Sequence, residues 1–383
     1  MATKSLRRAV AIMVGSIVGA GVLGLPYVFA QSGYLIGLVT LLVVGIAILM
    51  EFMIVGELAL ETPGRHQIVG LAKRYLGEKG KWLMQIIVLL SIWGAMLAYT
   101  VGSGDVFSSF FAQNAVYGVP LKIIFSLIFL FTLSIPIYLG LKATADVETP
   151  LVVFFIGLII AMCALAITQI DLANLQTVNL AKSLLPYGVV LFAISGSMVI
   201  PEAKIAVSGD SKLLRTAVLL GGIIPLLLYL FFTTVVVGVV GDKASEVATI
   251  AFGQLTNPII IVLGNIFALV AMATSFMVLG LVLKDTFIQD IGMKNNQAYL
   301  LTISFPLIMM FFAKSFAQIL EITGAFLIGL GGILIGIMAL KARKYKAVKH
   351  IAIKNTPAPY IVITMFVIGI VLTAAQLLGL GPF

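Results

Sequence analysis

Ten stretches of this chain carry no charged side chain: residues 9–50, 82–104, 123–141, 149–170, 183–201, 216–241, 247–283, 295–313, 322–340 and 355–383. About 20 residues of helix cross a hydrocarbon layer of roughly 30 Å, so these runs read as membrane spans. The first run holds 42 residues, room for two spans, and Gln31-Ser32-Gly33 supplies the turn between them. The run at 247–283 opens with Gln254-Leu255-Thr256-Asn257-Pro258, which reads as a helix entrance rather than a further span. Eleven transmembrane helices result, and the expected fold class is an all-α polytopic membrane protein. Composition leads the same way, with 61% hydrophobic and 10% charged residues. Barrel strands alternate in short segments, which these runs do not.

The cations fix an orientation. With the amino terminus inside, twenty lysines and arginines fall in inner segments, and only Lys122, Lys182, Lys243 and Lys314 fall outside. That bias predicts an integral cytoplasmic-membrane protein with its carboxyl terminus outside. The first apolar segment has no small-residue cleavage site and continues as a full span, so no removable signal peptide is expected. Cys163, the one cysteine, excludes an intrachain disulfide and a cysteine metal cluster. The inner connection from about Thr62 to Lys81 has room for one short interfacial helix and no soluble domain. His66 and His350 sit in basic, solvated surroundings.

Two spans contain material for a break. Gly15-Ser-Ile-Val-Gly-Ala-Gly-Val-Leu-Gly-Leu-Pro26 holds four glycines and a proline in twelve residues. Interior glycine costs about 1 kcal/mol relative to alanine and interior proline about 3. Gly21-Val-Leu-Gly-Leu-Pro26 has a counterpart in Gly196-Ser-Met-Val-Ile-Pro201, with glycine and proline both displaced by 175 residues. Inverted repeats with broken helices at matching positions are a transporter architecture. Five spans per repeat put spans 1 and 6 in opposite directions. The single transmembrane domain, 1–383, then divides into one repeat at about 6–170, a second at about 183–342, and an extra helix 11 at about 355–380.

The run Gly15 to Pro26 with Tyr27, together with Phe192-Ala-Ile-Ser-Gly-Ser-Met-Val-Ile-Pro-Glu202, resembles the first and sixth helices of the amino acid/auxin permease family. It resembles the bacterial aromatic amino acid permease relatives of that family as well. The family lies in the amino acid, polyamine and organocation superfamily, with the five-plus-five inverted repeat of LeuT-type symporters. The resemblance implies a secondary transporter that imports a neutral amino acid by alternating access, with helices 1, 2, 6 and 7 moving as a unit. It implies that the N–H groups of Ala20, Gly21 and Val22 take the substrate carboxylate, and that carbonyls near Ile17, Phe192, Ala193 and Ser195 take the ammonium. Unwinding exposes such groups, and half-helix ends add dipoles of matching sign. The competing reading of these glycines is close helix packing.

In span 8, Ala271, Thr274 and Ser275 share one helix face, so a carbonyl and two hydroxyls converge. In LeuT-type symporters this pattern, with two helix 1 carbonyls matching Gly15 and Val18, holds sodium. The alternative is that Thr274 and Ser275 bond back to their own helix. Proton-coupled relatives place a helix 5 lysine there, and span 5 at 149–170 has none. Glu51, Glu57, Asp105, Glu202 and Glu321 are ionisable groups near membrane depth. Glu202, directly after the second break, is the leading proton or gating candidate, and Arg7 and Arg8 with Asp285 form a candidate inner gate. Trp93, Met96, Tyr99 and Thr100, with Ser195, Ser197 and Phe276, are candidates for the substrate lining, Tyr99 foremost. With no midplane charge among them, a neutral L-amino acid is the expected substrate. Sodium is the expected coupling ion, proton symport or exchange the alternative, and a channel-like facilitator the alternative of another class. No enzyme is expected, because no nucleophile pair, metal motif or phosphate loop lies in the spans. No cofactor and no nucleic-acid partner is expected, the bilayer is the surrounding partner, and oligomeric state is left open.

Overall fold

In a bilayer each backbone N–H and C=O must find its partner within the chain, which apolar segments achieve as helices. The computed structural model describes residues 2–111, 115–140, 145–289, 291–343 and 356–379. Lys142, Lys344, Lys346, Lys349 and Lys354 of the charge count, and His350, lie outside the described residues.

Span 1 is two helices, α1 (Ala2–Ile17) and α2 (Leu25–Ser32), joined by a 3-10 turn at Ala20–Gly24. The two halves bend by 44°. Then follow α3 (Tyr34–Glu61), α4 (Ile68–Ser108), α5 (Leu121–Leu139) and α6 (Ala145–Ala166). Span 6 is again two helices, α7 (Leu185–Ile194) and α8 (Ile200–Ala206), with a 3-10 turn at Ser197–Val199. The chain continues through α9 (Ser211–Val240), a short α10 (Ala248–Gln254), α11 (Pro258–Gln289) and α12 (Asn295–Met309). Span 10 comprises α13 (Phe316–Ile322), a π segment at Thr323–Ile328 and α14 (Gly329–Ala342), and α15 (Ala358–Leu377) closes the order.

Nine helices among the described residues are long and apolar enough to cross a membrane, and the bent first span makes ten. The ninth of the eleven expected spans, 295–313, falls short of that length. Its helix α12 has 15 residues, about 22 Å at 1.5 Å per residue, and Met310–Phe312 leave it as turns. Pro306, which lacks an N–H, sits in its last turn. The expected interfacial helix is present as the first part of α4, set off by Gly77 at φ 76°. Ile68, Leu71, Ala72 and Tyr75 of that part are buried while Lys73 and Arg74 are exposed. A two-residue hairpin, Ala115–Val116 against Val119–Pro120, is the strand content of the described residues.

Gly33 turns the chain from α2 into α3 at φ 85°, where a Cβ would stand 2.5 Å from the Val178 Cα. Only glycine meets both demands. α1 packs on α9 and α8, whereas α4 packs on α5 and α11, and α14 on α15. Polar ties knit each group. Arg215 at the start of α9 pairs with the buried Glu57 of α3 at 3.2 Å. In the other group the Trp93 indole donates to Thr302 O at 3.2 Å, and the Lys284 ammonium donates to Ile137 O and Tyr138 O at 2.6 and 3.1 Å. Those carbonyls end α5, where a cation opposes the helix dipole.

Candidate substrate and ion site at two helix breaks

The last α-helical bond of α1 runs from Val18 N–H to Val14 O at 2.7 Å. Gly19 is extended, φ −140° and ψ −156°, and the chain re-enters helix as a tighter 3-10 turn. The N–H groups of residues 19–22 therefore leave the α-helical register, and the carbonyls of the preceding turn lose their usual donors. In span 6, Ser195 is extended at ψ 135° and Gly196 follows at φ −165°, ψ 12°. The two breaks face each other. A Cβ on Gly21 would stand 2.8 Å from the Ala193 Cα, and one on Gly196 would stand 2.5 Å from the Ile17 Cγ1. A side chain at Gly21 would run into the backbone of the second break, and one at Gly196 into the Ile17 side chain of the first. Close packing and unwinding are not alternatives here; the same glycines do both.

Around this crossing the half-helix ends supply both signs of charge. α1 and α7 present carbonyl ends and α2 and α8 present amide ends, so anionic and cationic groups are both accommodated without a charged side chain. Ala20, Gly21 and Val22, the expected carboxylate donors, are buried at the start of the 3-10 turn. Of the carbonyls expected to take an ammonium, two already have hydroxyl partners. Ile17 O accepts from the Tyr229 hydroxyl at 2.6 Å, and Phe192 O accepts from the Ser195 hydroxyl at 3.0 Å. A carbonyl keeps a second lone pair in such a bond.

α11 meets the first break through Ser275, whose Oγ lies 3.3 Å from the position of a Cβ on Gly19. Thr274 donates to Val270 O at 2.9 Å and Ala271 O at 3.2 Å, the back-bonding arrangement. Its proton is committed to its own helix while its lone pairs remain available. Gly15 lies in the final turn of α1 and Val18 directly after it; their carbonyls, like the oxygens of Ala271, Thr274 and Ser275, are hard and neutral, the kind that alkali and alkaline-earth cations take. Tyr99 reaches both α11 and α7: its side chain interacts with Ser275, and its ring meets Phe192 edge to face at 6.4 Å.

Other candidates lie apart from the crossing. Trp93 stacks on Phe305 at 5.2 Å, and Phe276 packs edge-on against Phe129 at 5.5 Å. Met96 is fully buried and accepts from Thr100 through its carbonyl. Glu202 is exposed on α8, Arg7 and Arg8 are exposed on α1, and Asp285 is half-buried on α11. Sequence reasoning passed over Tyr229 and ranked Glu51 below Glu202. Glu51 is 3% exposed on α3, faces the Ser197 side chain of the second break, and its Oε2 has no hydrogen-bond partner among the described residues. No local signal marks Tyr229, because its partner is 212 residues away. At the inner end, the Lys204 ammonium of α8 donates to Ala59 O at 2.6 Å, Thr62 O at 3.0 Å and Gly64 O at 3.4 Å, capping the carbonyl end of α3.

Residues 2–376 match the tryptophan/tyrosine permease family. Glutamine transporter 2 of Aliivibrio fischeri is 25% identical over 309 residues, 78% of each chain. Tyrosine-specific transport system 1 of Haemophilus influenzae is 23% identical over 287 residues, 70% of each. A putative sodium-coupled neutral amino acid transporter 11 of Bos taurus is 27% identical over 173 residues, 41% of this chain and 36% of that one. Among solved structures, MhsT in complex with L-phenylalanine superposes with a TM-score of 0.63 at 14% identity, covering 95% of this chain and 98% of the other. The fold is therefore of the LeuT type.

Proposed function

The chain belongs to the tryptophan/tyrosine permease family, and from that premise we propose that it imports a neutral amino acid by alternating access, with sodium as the coupling ion. The observation that carries this reading is the face-to-face placement of the two breaks, Gly21 on Ala193 and Gly196 on Ile17. The Ala20–Val22 amides receive the substrate carboxylate, and carbonyls at the end of α1 and α7, including that of Ala193, receive the ammonium. Tyr99 and Phe192 form an aromatic wall for the side chain. Both rings are uncharged, which favours a neutral side chain, in keeping with glutamine and tyrosine in the names of relatives.

Sodium is read at Gly15 O, Val18 O, Ala271 O, Thr274 Oγ1 and Ser275 Oγ, where Ser275 is already against Gly19. Ion and substrate would share one short stretch of α1, so filling either site orders the other. In alternating access spans 1, 2, 6 and 7, that is α1 with α2, α3, α7 with α8, and α9, move together, which the Arg215–Glu57 and Lys204 ties favour. The charge bias orients the amino terminus to the cytoplasm. A second reading, proton coupling, has Glu51 in its favour: a buried carboxyl group with one unpartnered oxygen beside the second break.

Uptake of a panel of labelled neutral amino acids into proteoliposomes, under an imposed sodium gradient or an imposed proton gradient, separates them. Concentrative, saturable uptake driven by sodium is expected. Accumulation under the proton gradient alone would transfer the coupling to Glu51. Flux that neither saturates nor runs uphill would replace a transporter with a channel-like pathway.

A further inference from the structure

In a continuous helix the Gly21 N–H would donate to Ile17 O and the Gly196 N–H to Phe192 O, each four residues back. In this chain both acceptors are taken by a side-chain hydroxyl: Tyr229 at Ile17 O, 2.6 Å, and Ser195 at Phe192 O, 3.0 Å. The positions correspond, since Ile17 to Phe192 and Gly21 to Gly196 are both shifts of 175 residues. We propose that Tyr229 and Ser195 are positioning residues that hold the breaks open, each hydroxyl satisfying the carbonyl that would otherwise need a glycine N–H, so that the helix gains little by re-forming. At the first break the amide so released is Gly21, the central donor for the carboxylate under the function proposed above, on which this inference rests.

Without a competing donor, a buried carbonyl and a buried N–H four residues apart gain by meeting, because leaving both unpaired in apolar surroundings is costly. The break then tends to heal. Tyr229 removes that incentive at Ile17 O. It is fully buried and comes from α9, a different helix, so its hold on the break is independent of local backbone preference. The Tyr229 hydroxyl also interacts with the Gly19 backbone, beside Ser275. Ser195 does the corresponding work within its own helix. The two breaks thus use one chemical device with donors of different origin.

The test compares Tyr229→Phe, Ser195→Ala and a remote control, Tyr75→Phe, which removes a buried hydroxyl that bonds Thr62 at 3.1 Å. Each is reconstituted in full length, with uptake measured for the amino acid the wild type accumulates best. Tyr229→Phe is expected to raise KM about tenfold, the value of one hydrogen bond to a charged group, with maximal rate and thermal unfolding near wild type. The loss should fall mainly on the carboxylate. The inhibition constant of the matching decarboxylated amine, which has nothing for Gly21 N–H to bind, should rise much less than the KM of the amino acid. Ser195→Ala should also raise KM, and Tyr75→Phe should not.

A Tyr229→Phe protein with wild-type KM overturns the proposal, as does equal weakening of amino acid and amine. If Tyr229→Phe does not fold, an unchanged KM in Ser195→Ala overturns it. Absence of saturable uptake by the wild type would instead refute the functional reading itself.

Discussion

At the scale of single residues the site is made by what glycine permits and what hydroxyls hold. The Gly15 to Pro26 run was legible because glycine and proline act on their own backbone, so their effect needs no knowledge of neighbours. Ser275 was legible for a similar reason, since helical spacing places it on one face with Ala271. Tyr229 and the Glu51–Ser197 approach were not, because they depend on which faces of distant helices meet. Ser275→Ala removes an oxygen beside Gly19; the sodium concentration for half-maximal uptake should rise several-fold, while a proton-driven cycle would leave it unmoved. Arg215→Met removes the guanidinium that lies 3.2 Å from the Glu57 carboxylate, whose side chain is 1% exposed. Breaking a buried pair costs about 3 kcal/mol, so a clear fall in thermal unfolding temperature in detergent is expected. Joint replacement, Arg215→Met with Glu57→Gln, should recover part of it.

At the scale of elements, span lengths followed from charge-free runs, and the two broken spans came out where the glycines predicted them. α12 did not, because a run measures where charge is absent and not where helix stops. Pro306 and the turns at Met310–Phe312 end it early. α8 has only 7 residues, too few to hold an orientation alone. It borrows one from α3 through Lys204, whose donors meet the carbonyls of Ala59, Thr62 and Gly64. Lys204→Met keeps the apolar stem and deletes those donors. Substrate affinity should be retained and maximal transport rate should fall several-fold, since α8 then moves without α3. A parallel loss of affinity would show that the tie shapes the site itself.

At the scale of the molecule, runs of apolar residues lead to the all-α class, while charge supplies an expectation of the side. The distribution of twenty cations against four predicts that a cysteine replacing Lys243 reacts with an impermeant thiol reagent added outside right-side-out vesicles. A cysteine replacing Lys79 should react only after permeabilisation. Cys163 is fully buried, so the native thiol gives a low background. The reverse pattern would invert the topology. Pairing of the two breaks was foreseen from the 175-residue offset, but their mutual contact needed three dimensions: Gly21 touches Ala193, one residue past the equivalent of Ile17.

That contact is where the whole account is most exposed. A Val side chain at position 21 starts from a Cβ 2.8 Å from the Ala193 Cα, so it must part the breaks and cover the amides. Equilibrium binding of a labelled neutral amino acid to purified protein in sodium, wild type beside Gly21→Val, is the direct measurement. Saturable binding by the wild type and its loss in a folded Gly21→Val protein is the predicted result. Wild-type affinity in Gly21→Val would contradict it and move the substrate site elsewhere.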